Sequence, residues 1–336
     1  MKSKILKHII IPILIIAICS FSFIKINYLL MPKRDDGILP MKSCYAQDDN
    51  TVDVLFIGSS QAGVNIDIKE LWQSYGYSSF SLWGGLQPFW NTYYFLLEAL
   101  KTQTPEVVVL DVYAATFSFE YSDSARQITN TAGMSFSLNK INAVRASTER
   151  KNFLSLLVGL PLYNNRLFEL NSKDFDCFFK RIDFKNEKGN SLQNGTNGTV
   201  VLEDVSEITE VRPMHEKEKE YFLKIIDLCK SRDIPLVLIK TPIPTIKDEQ
   251  PYYNGVDIIA KENGIEFCNL NFYDKEIGLK STDFWTDDSH LNSTGSKKVT
   301  TFIAENILSK YNLTDHRGDE KYISWDKNCE MYSDNK

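Results

Sequence analysis

As a string of apolar and polar positions, the chain opens with one long apolar run. Short apolar runs then alternate with segments of helical periodicity. The first run extends from Ile9 to Ile24, is interrupted by Lys25 and resumes from Ile26 to Met31. With Lys25 able to snorkel, it reaches the roughly 20 residues that a bilayer requires. The small-residue cleavage pattern of a signal peptide is weak here. The reading is an uncleaved single-span anchor over residues 1–31, with a cleaved signal peptide as the competing one. Residues 32–50 carry Pro32, Asp35, Asp36, Gly37 and Pro40 and read as a polar connector.

Beyond the connector the pattern predicts five strands. Val52 to Ile57 is the first. Tyr77 to Leu82, Val107 to Val112, Ile234 to Lys240 and Ile265 to Leu270 follow. Each is a short continuous apolar run rather than an alternating one, as expected for parallel strands covered on both faces. Helical spacing appears in Phe89, Tyr93, Leu96, Leu97 and Leu100, in Lys217 to Arg232, in Tyr252 to Asn263 before Gly264, and from about Ser293 to Lys310. This alternation predicts an α/β fold, a doubly wound (flavodoxin-like) five-stranded parallel sheet over residues 51–310. Regularity fails between residues 113 and 211, which reads as a lid-like insertion whose stretch 183–199 is a flexible loop. Residues 311–336 read as a loosely held polar tail.

Composition narrows the classes. With 38 Lys and Arg against 44 Asp and Glu, the net charge is −6, which argues against nucleic acid as partner. The six cysteines include no C-x-x-C pair and give neither a disulfide framework nor a zinc spacing. Charge around the apolar run does not orient it: Lys2, Lys4 and Lys7 on one side face Lys25, Lys33 and Arg34 on the other.

The candidate chemistry lies at two predicted strand ends. Gly58, Ser59 and Ser60 leave the first strand and enter a helix, which places a hydroxyl at the carboxyl edge of the sheet, where ligands bind in such folds. The loop before the last helix holds Asp287, Asp288, Ser289 and His290. A carboxylate and a histidine three residues apart can serve one imidazole, which then takes a proton from a serine hydroxyl. Of the four histidines, only His290 is placed at a carboxyl strand end. Strand alternation favours Ser60 over Ser59 as the one facing a cleft. Trp83, Phe89, Trp90, Tyr93, Tyr113, Phe284 and Trp285 crowd the predicted site, as cleft lining or as core.

These residues resemble the SGNH/GDSL hydrolase family. Gly58-Ser59-Ser60 looks like its first block, whose last serine is the nucleophile. Asp287-Asp288-Ser289-His290 looks like its last block, Asp-x-x-His. The resemblance implies Ser60 as nucleophile, His290 as base and acid, and Asp287 as its orienting partner, with no metal or organic cofactor. It covers roughly Val52 to Val112 and Lys217 to Leu308. Two blocks depart from the family. The glycine that gives an oxyanion N–H is matched only nearly, by Gly84-Gly85-Leu86, from which Gly85 is taken. The Gly-x-Asn-Asp after the third strand is absent, Leu110-Asp111-Val112-Tyr113 standing there instead. Gln87 is the candidate replacement amide, with a polar helix-start residue as the equal alternative.

With an N-terminal anchor, the resemblance is greatest to membrane-tethered branches that handle acetyl or D-alanyl groups on cell-surface polymers. It implies an extracytoplasmic, single-pass serine esterase or acyltransferase. The implied substrate is an O-acylated polysaccharide or teichoic-acid-like polymer. A membrane acyltransferase is an implied partner. The alternative of another class is a non-catalytic envelope-assembly protein that keeps the fold to bind polymer.

Overall fold

Five parallel strands form one sheet in the order β2-β1-β3-β4-β5, with β1 at Val54–Gly58, β2 at Ser79–Trp83, β3 at Val107–Asp111, β4 at Leu236–Lys240 and β5 at Glu266–Asn269. The computed structural model describes residues 2–331 except 197, 245 and 288, with side chains from residue 8 onward. Register is direct: Val54 pairs with Ser79 on one side and with Val107 on the other. Successive side chains of a strand point to opposite faces, and the core divides accordingly. Leu55, Ile57, Val108, Leu110 and Leu238 pack on one face with Phe89, Phe95, Phe222 and Ile226. Val54, Phe56, Val107, Val109, Val237 and Ile239 pack on the other with Val299 and Ile303. The helices Phe89–Ala99 and Glu216–Ser231 therefore cover the first face, and Ser293–Asn306 covers the second. The order of the strands reverses between β1 and β3, and a crevice opens there at their carboxyl ends.

The N-terminal helix, Lys2–Leu30, is long and apolar enough to cross a membrane: His8–Leu30 has mean hydropathy 2.6. Residues 32–50 are not a connector. They contain a helix, Ile38–Ala46, whose Ile38, Met41 and Cys44 are buried. Apolar residues three apart give a short helix one buried stripe, and the surrounding Asp and Pro residues mask it in a composition reading.

Two further expectations fail for one reason, a polar stretch held by specific bonds. Within 183–199, Lys188 is fully buried, with its Nζ donating to Gln47 Oε1 (2.6 Å), Lys185 O (2.7 Å) and Ser324 Oγ (2.8 Å) above the Trp325 ring. Its carbonyl accepts from Ser81 N–H at 2.9 Å, and Ser191 N–H donates to Gly63 O at 2.7 Å, so the segment runs along β2 instead of looping free. The tail is likewise held. His316 Nε2 lies 2.7 Å from Asp53 and its ring stacks on Tyr322, while Trp325 packs on Trp72 and donates to Ser79 O at 3.0 Å. Together these segments cover the open edge of β2, the kind of exposed backbone that natural sheets shield.

The insertion is a layer of short helices more than a lid. Leu138–Ser147 packs on Phe89–Ala99, and the segment from Phe153 to Phe178 packs on the end of the N-terminal helix. Its share of the crevice wall is Tyr113, Arg126 and Gln193.

Candidate active site

At the carboxyl end of β1, Gly58 adopts φ +147°, and a Cβ there would stand 2.8 Å from Asp111 Cβ, so only glycine allows β1 and β3 to approach this closely. The chain then enters the helix Ser60–Val64, which lies on the Trp83 ring so closely that a Cβ on Gly63 would overlap it. Ser59 turns inward. It is buried, donates its hydroxyl to Asp111 Oδ2 at 2.5 Å and accepts from Gln61 N–H as the helix cap. Ser60 faces a cleft of about 720 Å³.

The loop after β5 brings the partners. Phe284 and Leu291 pair as an antiparallel bridge, and Trp285 N–H donates to His290 O at 2.9 Å. Asn292 then caps the helix Ser293–Asn306, accepting from Thr294 and Gly295 N–H. Between these fixed points Asp287 Oδ1 accepts from the N–H groups of Ser289 (3.0 Å) and His290 (3.1 Å). Its Oδ2 lies 2.6 Å from His290 Nδ1, and His290 Nε2 lies 2.8 Å from Ser60 Oγ. A carboxylate only accepts, so Nδ1 carries the proton and Nε2 is left to accept from the serine hydroxyl. Ser60, His290 and Asp287 thus stand in one hydrogen-bonded row, with the imidazole between the hydroxyl and the carboxylate. Asp288 lies outside the described residues.

The two expected oxyanion donors separate. Gly85 lines the cleft, and among the described residues neither its N–H nor that of Ser60 meets an acceptor. Leu86 beside it sits at φ +44°, so the Gly85–Leu86 turn is held against its steric preference. Gln87 is not part of the site. It is fully buried, its Nε2 donates to Thr92 Oγ1 at 3.0 Å, and it does not line the cleft. Pro88 starts the helix Phe89–Ala99, which turns the preceding side chain into that helix.

A different amide lines the cleft: Gln61, directly after Ser60. Its orientation follows from a chain of donors. Leu291 N–H must donate, and it does so to Asn65 Oδ1 at 2.9 Å. Asn65 Nδ2 therefore points at Thr241 Oγ1 (2.8 Å), and the Thr241 hydroxyl proton is left for Gln61 Oε1 (2.9 Å). Lys240 Nζ donates to the same oxygen at 2.8 Å. With Oε1 doubly occupied, the Gln61 Nε2 group has no described acceptor and is the end left for the cleft. No short-range pattern exposes this residue, because the groups that orient it are about 180 positions away in the chain.

Beneath the site lies a buried charged cluster. Burial raises the carboxyl pKa of Asp111 and Glu249 and lowers the ammonium pKa of Lys240 to about 8, while Lys240 attracts both carboxylates. Burial also pushes the Tyr113 hydroxyl up to about 12. At the mouth stand Arg34, Asp36 and Arg126, with Arg34 Nε 2.8 Å and Arg126 Nη1 3.4 Å from Asp36. The aromatic residues divide: Trp83, Tyr113 and Trp285 line the cleft, whereas Phe89, Trp90 and Phe284 are core. Among the described residues no cluster of His, Cys, Asp or Glu is placed to hold a metal ion.

No protein-family model matches the chain, and no curated protein sequence matches it.

Proposed function

We propose that this protein is a membrane-anchored serine esterase or acyltransferase of the SGNH/GDSL type. It acts through an acyl-enzyme on O-linked acyl esters of cell-envelope polymers, with its catalytic domain on the extracytoplasmic side. The observation that carries the reading is the 2.8 Å approach of His290 Nε2 to Ser60 Oγ, with Asp287 on the far side of the ring.

The chemistry follows from those groups. Ser60 Oγ attacks the ester carbonyl carbon as His290 Nε2 takes the hydroxyl proton, and Asp287 stabilises the imidazolium. The carbonyl oxygen becomes an oxyanion, met by the N–H groups of Ser60 and Gly85 and by Gln61 Nε2. The bond to the leaving alkoxide breaks, and His290 returns the proton to that oxygen. Water or a polymer hydroxyl then attacks the acylated Ser60 by the same steps in reverse, giving hydrolysis or transfer. Trp83, Trp285 and Tyr113 supply the apolar walls a sugar or acyl group would need.

The test is labelling of the full-length protein with a fluorophosphonate, which traps activated serines. One adduct at Ser60 is expected, abolished in Ser60→Ala. No adduct, or an adduct on another serine, overturns the reading.

A further inference from the structure

The end of the N-terminal helix does not leave the domain through a flexible joint. Asn27 Nδ2 donates to Val158 O at 2.9 Å and Tyr28 hydroxyl to Cys177 O at 3.3 Å. Arg166 donates to Met31 O at 2.9 Å, and its Nη2 donates to both carboxylate oxygens of Asp174 at 3.0 and 2.9 Å. Lys33 Nζ turns back onto Tyr28 O (2.6 Å) and Met31 O (2.5 Å). The segment Phe153–Phe178 is therefore locked to the helix, and its height above or within a bilayer is set by it.

That segment presents apolar side chains outward. Leu154, Leu162, Leu167, Phe168, Phe175 and Phe179 are exposed, Phe168 at 91%. They lie within one short stretch of the insertion and are not scattered singly, and an exposed apolar patch of this kind marks an interaction surface. Its position identifies the partner. Phe178, Phe179 and Lys180 form a groove with Phe21, Ser22, Lys25 and Ile26 of the N-terminal helix, and Lys25 Nζ stands 5.7 Å from the Phe178 ring. Ile9 to Ile26 are exposed. Whatever solvates Phe21 to Ile26 therefore also solvates Phe178 and Phe179. A rise of about 1.5 Å per residue puts Ile26 about 6 Å and Phe21 about 14 Å from Leu30 along the helix, so the overlap begins within the ~5–10 Å typical of interfacial elements. Lys25 lies over the Phe178 ring, Arg181 over the Phe179 ring, and Lys180 lines the same groove, as expected at a headgroup layer with anionic lipids.

We infer that the segment from Leu154 to Phe179 is seated in the bilayer interface beside the anchor as a second, peripheral membrane contact. The proposal rests on the N-terminal helix spanning a membrane. It has a consequence for substrate. Arg34 and Asp36 line the cleft that holds Ser60, and six residues of chain from Leu30 span at most ~20 Å. The cleft is thus held at the membrane surface and takes an acyl group presented there, on a membrane-tethered carrier.

The experiment uses the full chain in nanodiscs containing phosphatidylglycerol, photolabelled with a diazirine confined to the acyl-chain region and mapped by mass spectrometry. Adducts are expected on 9–26 and on Leu162, Phe168 or Phe179, with none on Phe136 or Ile258, which are exposed elsewhere. Adducts on 9–26 alone overturn the proposal and leave the anchor standing. Adducts on neither overturn both. A Phe168→Ser/Phe179→Ser double variant provides an independent reading, since both positions are exposed and tolerate polar residues. It should turn over a lipid-linked ester on the order of tenfold more slowly while a soluble aryl ester is cleaved as before. Equal effects on both esters overturn the consequence for substrate.

Discussion

Lys240 Nζ stands 2.8 Å from Gln61 Oε1, and this contact helps fix which end of the Gln61 amide is left for the cleft. The same carbonyl oxygen also receives the Thr241 hydroxyl at 2.9 Å. The side chain next to Ser60 is thereby held with its amide nitrogen left for the cleft, in the absence of an asparagine after β3.

Two substitutions separate this role from packing. Gln61→Glu keeps an oxygen for Lys240 and Thr241 and should fold with unchanged melting temperature. It nevertheless presents a carboxylate oxygen where a donor is needed. We expect kcat to fall by about 10²–10³, the usual cost of one oxyanion donor, with KM little changed. Gln61→Ala should fall by a similar factor in kcat and also lose stability. Steady-state kinetics with a small aryl ester checks both, and a Gln61→Glu variant that retains parental kcat refutes the role.

Ser59 and Ser60 are adjacent but should behave oppositely. Ser60→Ala and His290→Ala should each remove nearly all turnover, and the double variant should be scarcely worse, because the pair acts as a unit. Ser59→Ala leaves the Ser60 hydroxyl untouched. It removes a helix cap and one hydrogen bond to buried Asp111, so its expected effect is a loss of about 1–2 kcal/mol of stability with most activity retained. Thermal melts alongside ester kinetics distinguish the two. Loss of activity in Ser59→Ala without loss of stability counts against the assignment of roles.

How much of this was legible depended on the range of the interactions. The strands and their order class could be read because each is a continuous apolar run with both faces covered. The approach of Ser60, Asp287 and His290 could be read because each sits in a short motif, one at the end of β1 and one in the loop before the last helix. Gln61 could not, since its orientation is imposed by Leu291, Asn65, Thr241 and Lys240 acting in sequence. Gln87 looked equally suitable, and only the turn into the helix at Pro88 removes it. Lys188 is a lysine whose burial depends on Gln47 and Ser324, so no local pattern marks it. The helix Ile38–Ala46 and the tail differ: Ile38, Met41 and Cys44 and then Tyr322, Trp325 and Cys329 recur at helical spacing, a signal hidden by polar neighbours.

The C-terminal segment should be part of the fold. Trp325 is buried against Trp72 with ring centroids 6.0 Å apart and donates to the backbone of β2. Trp325→Ala should cost about 3–5 kcal/mol, and truncation after residue 310 should cost at least as much by uncovering the β2 edge. Urea denaturation measures either loss. A truncated protein as stable as the parent would show that the segment adds nothing.

Glu218 supplies the pH dependence. It is fully buried on the helix Glu216–Ser231, where Oε2 accepts from Phe89 N–H at 2.8 Å and Oε1 has no partner among the described residues. Burial raises its carboxyl pKa to about 8, far above the unfolded value of about 4.3. Between those values the folded protein holds a proton that the unfolded chain has released. The stabilisation is therefore complete below about pH 4 and is lost as pH rises through about 8, with a limiting slope of about 1.4 kcal/mol per pH unit. Glu218→Gln keeps the neutral shape and the acceptor for Phe89 but cannot ionise. The variant should gain stability over the parent steadily from about pH 5 to pH 8 and hold a constant advantage above that. Denaturation curves at a series of pH values give the difference directly. A difference between variant and parent that does not change with pH would mean that Glu218 is ionised in the folded protein throughout.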